Sequence, residues 1–288
     1  MLNIGIVGLP NVGKSTLFNA LLRAKKALAA NYPFATIDPN VGIVEVPDER
    51  LRKLAEITKP EKIIPATVEF HDIAGLVKGA STGEGLGNQF LAHIRECDAI
   101  VQIARGFEDA DIIHVHGDVN PKRDREIIET ELMLADLQTL EKRVGKAESE
   151  AKSGKKDAVA YLAILKKTKD ALEKGVMLNR VDFTEEEKNA LKDLHFLTMK
   201  PQFFVLNVKE DQLTDEQKDK KNVQKIPWEE PTILICAKIE EELADIPEQE
   251  AQELLSSIGI KESGLNALVK KAYETLHWIT YFTAGPKK

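Results

Sequence analysis

Between Leu2 and about Asp118, short apolar runs of strand character alternate with stretches of helical spacing, the pattern of a parallel sheet covered by helices. The runs predict strands over Asn3–Val7, Gly42–Val46, Thr67–Asp72 and Ala99–Ala104. From about Arg125 the period changes. Met133, Leu137, Leu140, Val144, Ala147 and Ala151 recur at alternating steps of four and three, which places them on one helical seam. A polar turn, Ser153 to Asp157, separates them from Ala158, Leu162, Leu165, Leu172 and Val176, which keep the spacing with Lys169 interrupting it. This predicts an antiparallel helical hairpin. Thr184 followed by Glu187 three residues later predicts a capped helix start. After Pro201 the strand pattern returns in Gln202–Asn207 and Thr232–Cys236, and Gly264–Tyr273 reads as a last amphipathic helix. The expected division is therefore a sheet domain made of 1–124 and 201–280, interrupted by a hairpin over 125–200, with 281–288 beginning something extended.

A length of 288 residues with 43% apolar content suffices for a large core without metal or disulfide support. The two cysteines, Cys97 and Cys236, are far apart and lie in apolar stretches, which suits a reducing compartment. The first strand begins within two or three residues of Met1, leaving no room for a signal peptide, and no apolar run reaches membrane-spanning length. A cytoplasmic, monomeric protein without membrane contact is expected. The net charge of −7 argues against general nucleic-acid binding, and no DNA partner is expected.

The chemistry begins at Gly8-Leu9-Pro10-Asn11-Val12-Gly13-Lys14-Ser15, a G-x-x-x-x-G-K-S motif between the first strand and a helical stretch starting at Thr16. Its glycines let consecutive backbone N–H groups turn around a polyphosphate, and the positive end of the next helix lies beneath the same anion. Lys14 is expected on the outer phosphates and the Ser15 hydroxyl on Mg²⁺. This makes the expected fold a P-loop NTPase of G-protein type: α/β, mainly parallel, with helices on both faces.

Asp72-Ile73-Ala74-Gly75 closes the third strand where such proteins place a metal-side aspartate and a glycine that senses the γ-phosphate. Asp72 is expected to hold Mg²⁺ through water. Thr36, in the segment from Asn31 to Asn40, is the candidate second Mg²⁺ ligand on a switch that orders around a γ-phosphate. Base choice falls to Asn207-Val208-Lys209-Glu210, where guanine-specific proteins carry N-K-x-D. A glutamate at the aspartate position displaces the guanine clamp by about one methylene, and Val208 removes the packing lysine. Guanine selectivity should weaken; adenine preference does not follow from that alone. Thr16, Cys236 and Ala237 complete the nucleotide-contacting candidates alongside Asn11, Val12, Gly13, Lys14, Ser15, Asn207, Val208 and Glu210.

Taken together, the phosphate loop, the segment N-Y-P-F-A-T-I-D-P-N, the run D-I-A-G-L-V-K-G-A-S-T-G-E-G-L-G-N-Q-F-L, the N-V-K-E motif and the closing Y-F-T-A-G resemble the YchF or Obg-like ATPase family of translation-factor NTPases. The resemblance covers essentially the whole chain. It implies an ATPase with a G-protein core, a helical-hairpin insert and association with ribosomes. It also implies a C-terminal TGS domain, which would begin where this chain stops. Ala35 stands where many relatives carry cysteine, so thiol control there is not carried over.

Leu76 occupies the position at which many GTPases place a water-orienting glutamine, so slow intrinsic turnover, accelerated by a partner, is expected. His114, on the loop from Gly106 to Pro121, is the candidate for the missing polar help, as a histidine on a flexible segment able to approach the γ-phosphate; the alternative is a solvent-facing loop histidine. With His116 it makes a poor zinc site for want of a third ligand. Asn11 is a weaker candidate for holding K⁺ beside the phosphates. Lys152 to Lys174 contains seven lysines against three acids, a balance of +4 that suits ribosomal RNA or, equally, a solvated face. No interleaved aromatics support sequence-specific RNA reading. Three readings remain: a ribosome-associated ATPase switch, a GTPase of relaxed or guanine preference, and a nucleotide-gated ribosome-binding module with vestigial hydrolysis.

Overall fold

In the computed structural model, residues 2–29, 40–73, 86–214, 226 and 228–284 are described. Their sheet has six strands: β1 (Leu2–Gly8), β2 (Val41–Glu45), β3 (Thr67–Asp72), β4 (Ala99–Arg105), β5 (Gln202–Asn207) and β6 (Thr232–Ile235), in the order β2-β3-β1-β4-β5-β6. All pairs are parallel except β2 with β3. Each expected strand is present, with its ends displaced by at most one residue. The central position of β4 explains its uninterrupted apolar run, since every one of its residues is buried.

Ile4, Ile6 and Val7 of β1 and Ile100 and Val101 of β4 form the middle of the core, covered by Leu17 and Leu21 of helix α1 (Lys14–Ala29). Further helices are α2 (Glu49–Thr58) and α3 (Leu86–Glu96), the latter contributing Ile94 to the same core. The parallel strands send their C-terminal ends, and the loops that follow, to one edge of the sheet, where ligands of such folds bind.

Between β4 and β5 the chain runs out through α4 (Pro121–Ala151) and back through α5 (Lys156–Glu173). Leu140 and Ala147 meet Leu165 and Leu172 along the expected seam, with Phe183, Leu191 and Phe196 closing it. Val176 departs from the seam: α5 stops at Glu173, Gly175 turns left-handed at φ 73°, and Val176 is exposed. The base of α4 is not part of the arm alone. Ile128, Leu132 and Ala135 pack into the core of the sheet. Farther along the same helix, the buried Asp136 accepts hydrogen bonds from the N–H groups of Leu197 and Thr198 and from the Thr198 hydroxyl. Burial pushes its carboxyl up to about 6. Helix α6 (Glu185–Leu191) starts with the expected capping box, Thr184 and Glu187 each accepting the other's backbone N–H.

An ion-pair knot joins the arm to the sheet. The Arg125 guanidinium lies 4.1 Å from the Phe204 ring centroid and 5.2 Å from that of Trp228, and donates to Glu129 and to both oxygens of Glu230. Arg180 bridges the same two carboxylates. Hydrogen bonding from Arg125 lowers the Glu230 carboxyl to about 2, against its ordinary 4.5. A depressed carboxyl contributes stability above its unfolded value and loses it as pH falls through the folded one. Glu230→Gln should therefore melt below the parent at pH 7, and the difference should shrink between about pH 4.5 and 2 in melting curves taken across that range.

Candidate nucleotide-binding site

Residues 8–15 link β1 to α1 and turn sharply because of two glycines. Gly13 has φ 92°, and a Cβ there would stand 2.0 Å from Asn207 Nδ2. At Gly8 a Cβ would meet the Ile103 carbonyl at 2.9 Å. Only glycine allows this loop to pass so close to the neighbouring strands. Helix α1 begins as the N–H of Leu17 donates to Gly13 O at 3.0 Å, and the residues before it, whose N–H groups lie ahead of the first intrahelical bond, line the cavity.

Lys14 is nearly buried, and its ammonium pairs with the Asp72 carboxylate at the end of β3. The expected phosphate lysine and the expected metal-side aspartate thus meet across 58 residues of sequence. Ser15 and Thr16 line the cavity beside them. Among the described residues no cluster of three or more His, Cys, Asp or Glu could hold a metal. The local chemistry still fits Mg²⁺: a hydroxyl and a carboxylate are hard oxygen donors, and the carboxylate already holds a positive charge in the Lys14 ammonium. Thr36, Gly75, Ala35 and Leu76 lie outside the described residues.

At the other end of the cavity Asn207 is buried with both ends of its carboxamide engaged. Nδ2 donates to Val12 O at 2.9 Å, and Oδ1 accepts the Ala237 N–H at 3.0 Å. It therefore fastens the phosphate loop to the segment opening helix α8 (Ala237–Leu243), using one of its two N–H donors and one lone pair of its oxygen. Val208 is buried among Ala104 and Leu206, packing inward where a lysine would lie along a base. Glu210 is exposed on the cavity wall at the first turn of α7 (Glu210–Thr214). Burial raises the Cys236 thiol, so this cavity residue is a neutral wall and no nucleophile. The cavity measures about 1420 Å³, ample for a nucleotide.

Its remaining wall was not anticipated. Gly106 donates to Asn207 O at 2.7 Å and accepts from Gln212, whose Oε1 takes the Lys209 N–H. Arg105 is fully buried, donates to the carbonyls of Phe107, Asp109 and Ile112, and stacks over the Phe107 ring. Phe107 and Ile112 thereby line the cavity. The only available signal was the position of Arg105 and Phe107 at the C-terminal end of a central strand. The wall reaches the phosphate loop where Asn11 Nδ2 donates to Ile113 O at 3.0 Å.

His114 corrects its expectation. It is neither solvent-facing nor on a free segment: the ring is buried, Nε2 lies 2.8 Å from Asp124 Oδ2, and Nδ1 accepts the His116 N–H at 3.2 Å. Tertiary contact with α4, ten residues farther along the chain, holds it there.

Residues 3–140 match the family model described as 50S ribosome-binding GTPase. The chain is 52% identical to the ribosome-binding ATPase YchF of Bacillus subtilis over all of its length and 79% of that relative. It is 50% identical to that of Escherichia coli O157:H7, covering 99% of this chain and 78% of the relative. The solved structure of the Schizosaccharomyces pombe YchF GTPase superposes with a TM-score of 0.83 at 38% identity, over 99% of this chain and 78% of that one. With a phosphate loop pinned by Asn207, a hairpin between β4 and β5 and relatives at this identity along the entire chain, the protein belongs to the YchF family of P-loop NTPases.

Proposed function

We propose that this chain is a ribosome-associated, nucleotide-dependent switch that hydrolyses ATP to ADP and phosphate, acting as a cytoplasmic monomer. The observation that carries the reading is the cradle itself: glycine-turned N–H groups, the α1 N-terminus and the Lys14–Asp72 pair at one end, and at the other a base loop that retains its fastening asparagine. On nucleotide binding, Lys14 leaves Asp72 for the outer phosphates, where its charge offsets the one developing on the transferred group. Ser15, Asp72 and Thr36 would hold Mg²⁺, Asp72 through water. When bound there, the ion would supply charge neutralisation at the phosphates. The Gly75 N–H would sense the γ-phosphate, and Asn11, whose Nδ2 is held by the Ile113 carbonyl, would offer its carboxamide oxygen to K⁺. Positioning and charge stabilisation carry the chemistry, so turnover without a partner is slow.

The altered base motif separates this reading from a guanine-specific one. Guanine recognition needs a carboxylate at the fourth position and a lysine along the base; Glu210 is one methylene too long and Val208 faces the core. The relatives from Bacillus subtilis and Escherichia coli are named ATPases, which favours adenine.

The ribosome contact falls to the hairpin. Lys167, Lys169 and Lys174 are paired with Glu187, Glu173 and Asp170. Lys152, Lys155 and Lys156 cluster exposed at the tip around the left-handed Gly154, and no ion pair is described for them. Three such charges suit the phosphate backbone of RNA, and each contact steepens the salt dependence. Sedimentation of the chain with ribosomes and an ATP analogue should lose affinity on the order of 20-fold between 50 and 200 mM salt if three phosphates are neutralised. Changing the three lysines together to glutamate should abolish pelleting. Pelleting that ignores both salt and the triple substitution would exclude the hairpin tip as the contact.

A further inference from the structure

Helix α4 carries both the arm and the residue that seats His114. Asp124 lies in its first turn, after the N-cap Asn120, whose side chain accepts the Arg123 N–H at 3.0 Å. The imidazole and the carboxylate bury each other, with side-chain exposures of 1% and 2%. Because Nδ1 accepts the His116 N–H, the ring proton sits on Nε2 and is donated to Asp124 Oδ2. Both ring nitrogens are thus taken by protein, and in this seat neither reaches water or phosphate. The seat is nonetheless beside the site, since the preceding residue accepts the Asn11 side chain of the phosphate loop.

Two features separate this pair from a simple structural contact. Asp124 Oδ1 is buried without a hydrogen-bond donor among the described residues, and the nearest guanidinium, that of Arg123, stands 3.7 Å away with its hydrogen bonds on Asp118. A buried carboxylate with an unsatisfied oxygen costs free energy, so the seat is easier to open than a fully satisfied one. Moreover, α4 is a single helix of 31 residues, about 45 Å long at the ordinary helical rise. The hairpin tip and Asp124 thus lie on one continuous helix, so a load on the tip can reach the turn that carries Asp124 only through the helix base packed by Ile128 and Leu132.

We propose that Asp124 is a positioning residue for hydrolysis: it keeps His114 withdrawn from the phosphates, and its place at the root of α4 makes release of the histidine depend on the hairpin. This rests on the reading of the cavity as an ATPase site, and it keeps His114, seated away from the cavity in this structure, as a water-orienting group only after its release. Once released, the imidazole hydrogen-bonds the attacking water. The water oxygen bonds to the γ-phosphorus as the bond from that phosphorus to the β–γ bridging oxygen breaks. The water protons pass to the departing phosphate and solvent, and the imidazole emerges unchanged.

The test is ATP turnover and ATP affinity of the full chain for Asp124→Ala, Asp124→Asn, His114→Ala and the His114→Ala/Asp124→Ala double variant. Asp124→Ala should turn over at least about threefold faster than the parent, as expected when a withdrawn state loses its main contact, with ATP affinity unchanged. Asp124→Asn, which still offers an accepting oxygen, should fall between the two. The double variant should be as slow as His114→Ala. Added ribosomes should stimulate Asp124→Ala by a smaller factor than the parent. Asp124→Ala turnover at or below the parent rate, with His114→Ala slowed, would overturn the withdrawal while leaving the histidine's role intact. Parent-like turnover of His114→Ala would overturn the histidine's role and the proposal with it, and equal ribosome stimulation would overturn the link to the hairpin. Should Asp124→Ala not fold, ¹⁵N-histidine spectra of the parent decide. The Nε2–H tautomer of His114 should give way when Mg²⁺, ADP and aluminium fluoride are added, and its persistence at saturation would overturn the proposal.

Discussion

Lys14→Ala should reduce ATP turnover by about a hundredfold to a thousandfold, the loss typical when one preorganised charge-stabilising group is removed from a transition state. The expectation rests on more than the motif. The ammonium is held in a nearly buried position by Asp72, so it is already desolvated and aimed along the loop before any nucleotide arrives. Its transfer from a carboxylate to a polyphosphate exchanges one strong ionic partner for another, which keeps the reorganisation small. The substitution also leaves Asp72 without its cation, so the variant should depend more steeply on Mg²⁺ concentration than the parent. Phosphate release under saturating ATP, followed across a Mg²⁺ series, would check both effects. Parent-like turnover would remove Lys14 from the mechanism.

The second large effect is expected at Asn207. Substitution by alanine removes two buried hydrogen bonds at once and strands the Val12 carbonyl and the Ala237 N–H in a closed environment. With each stranded group costing about 1–3 kcal/mol, the loss should be about 2–6 kcal/mol. For a protein of this size that lowers the melting temperature by roughly 3–10 °C. Nucleotide affinity should fall as well, since the asparagine fastens the phosphate loop to the base loop, and Gly13 packs directly on it. Scanning calorimetry with and without ATP would separate the two: the parent should gain stability from the nucleotide, and the variant should gain much less. Equal melting temperatures and equal ATP stabilisation would contradict this account of the pocket.

Much of the architecture was legible because its signals are local. The strands are short β-branched runs bounded by turn residues, the hairpin seam keeps one period across 133–172, and the capping box at Thr184 lies within four consecutive residues. The phosphate loop is legible for the same reason: eight consecutive residues carry its geometry. What escaped depends on residues distant in sequence. The seam period runs unchanged through the base of α4, and nothing in it marks that Ile128 and Leu132 face the sheet while Leu140 faces α5. The antiparallel pairing of β2 follows from the path of the chain, since a strand read singly has the same pattern in either direction. Arg105 ends an apolar run and could have pointed outward; its role comes from three carbonyls of the loop that follows. The sequence around His114 shows a titratable ring on a loop, and the carboxylate that seats it belongs to a helix whose orientation the loop sequence does not encode.

The central claim is that this phosphate cradle, with Val208 and Glu210 in its base motif, serves an adenine nucleotide. Its most direct test is calorimetric titration of the nucleotide-free chain with ATP and with GTP, each with Mg²⁺. The account predicts that ATP binds at least tenfold more tightly, a difference of about 1.4 kcal/mol. GTP binding as tight as ATP or tighter would contradict it, and the chain would then be a guanine-nucleotide switch whose altered motif still clamps guanine.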